Sequence, residues 1–159
     1  MYDELEDYED AIQSLTEHLR TYPGNAAAYH NRAVAYWEID QPDRALEDFG
    51  EAVRLAPADP MPAKIRGMLL QKLGNLAAAL ESFDLAVRIA PDNPYHRRAR
   101  AHCRSEAGEL AGAVDDFSRA IAIQPEFAQQ YLDRAAVYER LGQASLAERD
   151  RATASRLRG

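Results

Sequence analysis

The chain has 159 residues, enough for one domain with its own core, and 47% of them are hydrophobic. Alanine supplies 30 residues while valine, isoleucine and threonine together supply 14, so the composition favours helices and argues against a β-sandwich or a doubly wound sheet. The net charge of −7 disfavours general nucleic-acid binding. The sequence contains no run of about 18 apolar residues, the length that a membrane helix needs.

A period of 34 residues organises the chain. Several columns of residues keep this period without an insertion, and their agreement predicts a stack of structural repeats. The prolines are Pro23, Pro57, Pro91 and Pro125; the columns of small residues include Ala45, Ala79, Ala113 and Ala147, and Ala33, Gly67, Ala101 and Ala135; the large apolar column is Leu15, Phe49, Phe83 and Phe117. We expect a single domain over residues 1–159.

The repeats are taken in chain order. For residues 1–25 we predict only the second helix of a repeat, from about Tyr8 to Thr21. The chain is therefore either an excised piece of a longer array or a protein with an irregular start. Complete repeats are expected at residues 26–59, 60–93 and 94–127. Residues 128–159 form the last repeat, and Arg151 takes the column of the buried aromatics there, which indicates a polar cap.

Residues 60–93 illustrate how one repeat folds. Asp59 and Pro60 are favourable at a helix N-terminus, and Gly74 can adopt the left-handed conformation that ends this helix after Leu73. A second helix is expected from Leu76 to Ala90, ended by Pro91. Gly67 would let the two helices approach closely, with Phe83 filling the space between them. Because one such hairpin cannot bury its apolar face, neighbouring hairpins must stack into a solenoid.

The residues within one period resemble the tetratricopeptide repeat (TPR) family. The resemblance rests on Tyr29-His30-Asn31-Arg32-Ala33-Val34-Ala35-Tyr36 followed by Ala45, Phe49, Ala52 and Pro57, and on Tyr131, Asp133-Arg134-Ala135, Tyr138, Gly142, Ala147 and Ala154. It implies an all-α, right-handed solenoid of antiparallel helix pairs, whose concave groove is lined mainly by the first helix of each repeat.

The third complete repeat departs most from this pattern. Its first helix, from about Pro94 to Ala107, has Arg97 and Arg104 in columns that hold tyrosines in the first and last repeats. Either their stems cover apolar surface, or the helix is a basic recognition surface. Arg100 shares its column with an arginine in every other repeat, which favours a structural role.

The residue pattern predicts no enzyme, cofactor or metal site. His102 and Cys103 are adjacent on a helix and point about 100° apart, so they cannot form a nucleophile–base pair. Cys103 shares a column with apolar residues and is expected to be buried. The acidic pairs Glu47-Asp48 and Asp115-Asp116 are expected on solvated faces of second helices.

The predicted function is therefore protein binding through the concave groove, with a peptide carrying apolar and acidic side chains as ligand. The resemblance places ten candidate residues there: His30, Asn31, Trp37, Lys64, Met68, Tyr95, Arg98, His102, Gln129 and Asp133. Some TPR domains clamp a C-terminal carboxylate of chaperones, but Val34 here replaces the clamp asparagine, and Tyr95 and Ala99 replace cations.

The charge distribution supports an alternative, a scaffold that self-assembles head to tail. Residues 1–25 have a net charge of −6 and residues 128–159 a net charge of +2, so that an acidic end could meet a basic end of a second copy. The acidic N-terminus does not resemble a signal peptide, and a single cysteine cannot form an internal disulfide. Both features favour a cytoplasmic protein. From the net charge and the lack of a long apolar run we expect no nucleic-acid or membrane partner.

Overall fold

The computed structural model describes residues 2–159, with side chains from Glu6 onward, and these residues form nine α-helices and no strand. The helices are α1 (Tyr2–Thr21), α2 (Ala26–Glu38), α3 (Pro42–Leu55), α4 (Pro60–Lys72), α5 (Leu76–Ile89), α6 (Pro94–Glu106), α7 (Leu110–Ile123), α8 (Ala128–Arg140) and α9 (Ala144–Arg158). Within this described part of the chain, none of the helices has the length and apolar character needed to cross a bilayer.

The helices pack as consecutive antiparallel pairs joined by short turns. We call α2/α3, α4/α5, α6/α7 and α8/α9 repeats 1 to 4, each with a first and a second helix. Every second helix also packs against the first helix of the following repeat, and α1 packs on α2 in the same way. The first helices of repeats 2 and 3, α4 and α6, touch each other directly. These contacts build one continuous solenoid.

The expected start of α1 at Tyr8 is wrong, since the helix begins at Tyr2. No proline or glycine interrupts residues 2–21, so nothing in the backbone stops the helix from continuing towards the N-terminus. The segment is therefore a long helix in the position of a second helix.

The predicted helix ends in repeat 2 are confirmed. Asp59 caps α4, because its Oδ1 accepts a hydrogen bond of 2.9 Å from the backbone N–H of Met61. Gly74 follows α4 with a φ of 78°, a conformation that a Cβ atom disfavours. The equivalent position in repeat 1 holds Asp40, with a φ of 58°; aspartate tolerates this conformation better than most residues.

Each core cluster is centred on the phenylalanine of a second helix. Phe83 is fully buried, and its ring lies where a Cβ on Gly67 would come within 2.9 Å of Cε1. The close approach expected between these helices is therefore confirmed. Cys103, from the first helix of the next repeat, belongs to the same cluster and is also fully buried, as predicted. Because the first helix of the following repeat completes each core, neighbouring repeats cannot separate without exposing it.

A second structural feature repeats along the solenoid: an arginine of the first helix bonds to a residue sixteen positions later on the second helix. The pairs are Arg32 with Asp48, Arg66 with Ser82, Arg100 with Asp116, and Arg134 with Asp150. In repeats 1, 3 and 4 both carboxylate oxygens accept hydrogen bonds from one guanidinium, at 2.5–2.8 Å. Such paired, charge-assisted bonds are among the strongest in proteins.

The expectation that Asp48 and Asp116 lie on solvated faces is wrong. Asp48 is 5% exposed and Asp116 is fully buried. Burial of a carboxylate is tolerated because a guanidinium satisfies both of its oxygens. Only Glu47 and Asp115, the other members of these acidic pairs, are exposed.

Repeat 2 lacks the carboxylate of this pairing. Arg66 makes only a 3.4 Å hydrogen bond to the Oγ of Ser82, and its buried Nε has no hydrogen-bond partner among the described residues. In repeat 1 the Nη1 of Arg32 also donates a hydrogen bond to the Oγ1 of Thr16 on the preceding second helix. The residue equivalent to Thr16 for Arg66 is Gly50, which has no side-chain acceptor. Arg66 is therefore the least well paired arginine of the four.

Substitution of Ser82→Asp should stabilise the protein, because it supplies Arg66 with the carboxylate that the other repeats have. We expect a gain of about 1.5–3 kcal/mol in the free energy of unfolding, the usual range for hydrogen bonds to charged groups. Urea unfolding measures it. Ser82→Asn is the control, with similar volume but no charge, and it should give no such gain; equal stabilities of the Asp and Asn variants would contradict the prediction.

Candidate functional site

A cleft of about 290 Å³ lies between the first helices of repeats 2 and 3. Five of the ten candidate residues line it together, and three further residues complete it. The five are Lys64, Met68, Tyr95, Arg98 and His102; the three are Gln71, Phe83 and Ala99. The structure thus brings half of the candidate residues into one site.

The cleft has apolar walls that are open to solvent. Met68 and Tyr95 are 40% and 54% exposed, which is high for large hydrophobic side chains. Phe83 reaches the floor from α5, because Gly67 on α4 leaves space for its ring. A thioether and an aromatic ring at the mouth of a cleft can pack against varied apolar side chains.

Arg98 and His102 of the cleft already contact Asp133, which lies on the first helix of repeat 4. The carboxylate Oδ2 of Asp133 is 3.3 Å from Nε of Arg98 and 3.2 Å from Nε2 of His102. The Nε2 of Gln129 donates a 2.9 Å hydrogen bond to Oδ1. Burial raises the pKa of the Asp133 carboxyl, but hydrogen bonds from His102 and Gln129 and the charge of Arg98 outweigh it, so the net shift is downward. Asp133 is therefore charged at neutral pH.

Lys64 differs from Arg98 and His102 in having no acidic partner. Among the described residues, no carboxylate lies within 4.0 Å of its ammonium group, whereas thirteen such pairs are formed elsewhere. Its side chain is half-buried at the edge of the cleft, beside Met68 and Tyr95. Lys64 is thus the cation of the cleft that is available to a ligand.

The remaining candidates lie outside this cleft. His30 lines a separate pocket of about 350 Å³ between repeats 1 and 2, and Asn31 lines another pocket against α1. Trp37 is half-buried against the core around Phe49, with Nζ of Lys72 at 5.7 Å from its ring centre. Trp37 therefore contributes to packing between repeats 1 and 2. Gln129 contacts Asp133 and accepts a hydrogen bond from Arg158.

The two readings of Arg97 and Arg104 are decided by their contacts. Arg104 donates a 2.8 Å hydrogen bond to Asp116, and Arg97 lies 3.9 Å from the same carboxylate. Both are largely buried beside Arg100. Because these cations neutralise the buried acid, this side of α6 is structural, and no basic recognition surface is formed by Arg97 and Arg104.

Cys103 does not contribute a nucleophile to the cleft. Burial raises the pKa of its thiol to about 11, so the group is protonated at neutral pH. Its Sγ lies 3.8 Å from the carbonyl oxygen of Leu76 and packs in the core. Within the described residues, no cluster of three His, Cys, Asp or Glu side chains is arranged to hold a metal ion.

The comparisons with known proteins agree with this architecture. The tetratricopeptide repeat family model matches residues 2–60, 30–94 and 66–126. The chain belongs to the tetratricopeptide repeat family. No curated protein matches its sequence.

Solved TPR structures superpose on nearly the whole chain. A crystal structure of MamA has a TM-score of 0.88 at 20% identity, covering 96% of this chain and 89% of MamA. MamA from Desulfovibrio magneticus RS-1 gives 0.85 at 18% identity, covering 95% and 85%. YrrB, described as a TPR protein with an unusual peptide-binding site, gives 0.82 at 19% identity, covering 98% and 80%. At these identities the likeness establishes the fold, a right-handed TPR solenoid.

His96 lies on α6 near Lys64, and the sequence pattern did not single it out. It is 2% exposed, and neither ring nitrogen has a hydrogen-bond partner among the described residues. Burial lowers the pKa of His96 and the charge of Lys64 lowers it further, against an opposing effect of Asp59. The folded protein therefore keeps His96 neutral at a pH where the unfolded chain protonates it.

The stability of the TPR domain should consequently decrease as pH falls below about 6.5, the ordinary histidine value, because the unfolded state then binds more protons. His96→Gln should flatten this dependence, and glutamine is tolerated at the position since Gln130 is its buried equivalent in repeat 4. Thermal unfolding between pH 5 and pH 8 measures both proteins. Equal slopes for the two would show that His96 does not cause the dependence.

Proposed function

We propose that this TPR chain is a non-catalytic binding module that holds an extended peptide segment of a protein partner in the cleft between α4 and α6. Residues 1–159 act as a single domain in this proposal. An acidic side chain of the ligand pairs with Lys64, and a neighbouring apolar side chain packs against Met68 and Tyr95. The binding of proteins and peptides is the common activity of the TPR fold.

The main observation in support of peptide binding is the environment of Lys64. It is a cation without a carboxylate partner among the described residues, placed beside exposed apolar side chains in a cleft. Half-burial makes an ion pair there stronger than one at an open surface, since solvent screens it less. The peptide-binding site of YrrB, a TPR protein of similar structure, supports the proposal by analogy.

Peptide binding is tested with a rhodamine-labelled nonapeptide of serine and leucine residues with one central glutamate and an amidated C-terminus. Fluorescence anisotropy should show binding that weakens with salt, and a counterpart with a central lysine should bind at least about tenfold more weakly, as expected where like charges meet. Lys64→Glu should lower the affinity for the glutamate peptide by a similar factor.

The control for this variant is Arg88→Glu, which makes the same charge change at an exposed position on the second helix of the same repeat. It should leave the affinity unchanged. Equal binding of the glutamate peptide by the unmodified protein and the Lys64 variant would remove Lys64 from the site, and no binding at all would contradict the proposed function.

Self-assembly is the second candidate, favoured by exposed charges of opposite sign on the first and last helices. Exposed acids on α1 include Glu6, Asp7, Glu9, Asp10 and Glu17; exposed cations on α9 are Arg149, Arg151, Arg156 and Arg158. Contact between these helices in two copies would be attractive and sensitive to salt.

Light scattering coupled to size exclusion tests this candidate. Self-assembly predicts a mass that rises with concentration, falls with salt, and reverts to the monomer in an Arg149→Glu/Arg156→Glu variant. A monomer mass at every concentration and salt level would eliminate it.

A further inference from the structure

Asp133 places a carboxylate of the chain itself beside Arg98 and His102 of the cleft. Its Oδ2 lies 3.3 Å from Nε of Arg98 and 3.2 Å from Nε2 of His102, and its side chain is only 11% exposed. Arg98 is also held from another side, because its guanidinium carbon lies 5.1 Å from the centre of the Phe127 ring. A carboxylate of a bound peptide would bind the same two side chains, Arg98 and His102, so Asp133 competes with it.

The repeat does not require an acid at this position. The equivalent residues in repeats 1, 2 and 3 are Asn31, Ile65 and Ala99, all uncharged. The helix pairs form without a carboxylate there, in contrast to the buried acids of the second helices, which recur in repeats 1, 3 and 4. Asp133 is therefore a feature of this site, and its contacts are with cleft residues and Gln129.

We propose that Asp133 is a specificity-determining residue, an internal carboxylate that occupies Arg98 and His102 and leaves Lys64 as the cation of the cleft that has no acidic partner among the described residues. The proposal rests on the proposed function of the cleft. It defines the ligand as a segment with a single acidic side chain next to an apolar one. A run of acidic residues gains nothing from Arg98 and His102, because its additional carboxylates meet the negative charge of Asp133.

The test compares the single-glutamate nonapeptide described above with a version that has glutamate at three positions. The unmodified protein should bind the two peptides with similar affinity. Asp133→Asn should bind the triple-glutamate peptide at least about tenfold more tightly than the unmodified protein does, because removal of a like charge frees Arg98 and His102. Its affinity for the single-glutamate peptide should change much less.

The chain offers matched controls. Asp115→Asn makes the same charge change at an exposed residue of α7, which forms an ion pair with Arg119 on its own helix, and it should alter neither affinity. Asp133→Ala is a second test variant; asparagine and alanine are both present at this position in other repeats, and circular dichroism verifies that the variants fold.

The outcomes separate this proposal from the proposed function. Binding of the single-glutamate peptide without any gain for the Asp133 variants on the triple-glutamate peptide would overturn the role of Asp133 and leave the cleft as the binding site. A gain on the triple-glutamate peptide that the Asp133 variants show and Asp115→Asn does not supports the proposal. Failure of every protein to bind either peptide overturns both.

Discussion

The solenoid depends on one packing constraint. In repeats 1 to 3 a phenylalanine ring of the second helix inserts between a small residue of its own first helix and the first helix of the next repeat. Phe83 illustrates it, with Gly67 on one side and Cys103 in the same buried cluster. The ring is too large to be buried within one helix pair. Adjacent repeats therefore fold as one unit, and the 34-residue period must be kept for every ring to find its place.

The arginine–aspartate pairs add an electrostatic constraint to this packing. Each joins the two helices of a repeat through a guanidinium that satisfies a buried carboxylate, and the desolvation cost of these charges is offset only while both members of the pair are present. Repeat 3 strengthens the arrangement by adding Arg97 and Arg104 around Asp116, whereas repeat 2 lacks the acid. The pairs thus vary in strength along a backbone that stays regular.

The cleft arises where the packing leaves the first helices free to vary. Lys64, Met68 and Arg98 line a cleft that is open to solvent, and Lys64 and Met68 do not belong to the buried core clusters. The contact between α4 and α6 brings them together. Asp133, one repeat further on, then decides how much positive charge the cleft presents. The residues of α4 and α6 that line the cleft lie at positions where the repeats do not share one residue type.

The sequence by itself determined the period, the helix ends of repeat 2, the phenylalanine columns and the burial of Cys103, because these follow from local propensity and from which residues recur every 34 positions. Five of the ten candidate residues that the family pattern indicated line the cleft. Only the tertiary structure decided the partners: that Asp48 and Asp116 are buried against arginines, that Trp37 packs against the core around Phe49, and that Asp133 contacts Arg98 and His102. A helical pattern specifies the face on which a side chain lies. Whether a carboxylate on that face is buried depends on whether a different helix places a cation next to it. The position of that helix is set by how the repeats are stacked.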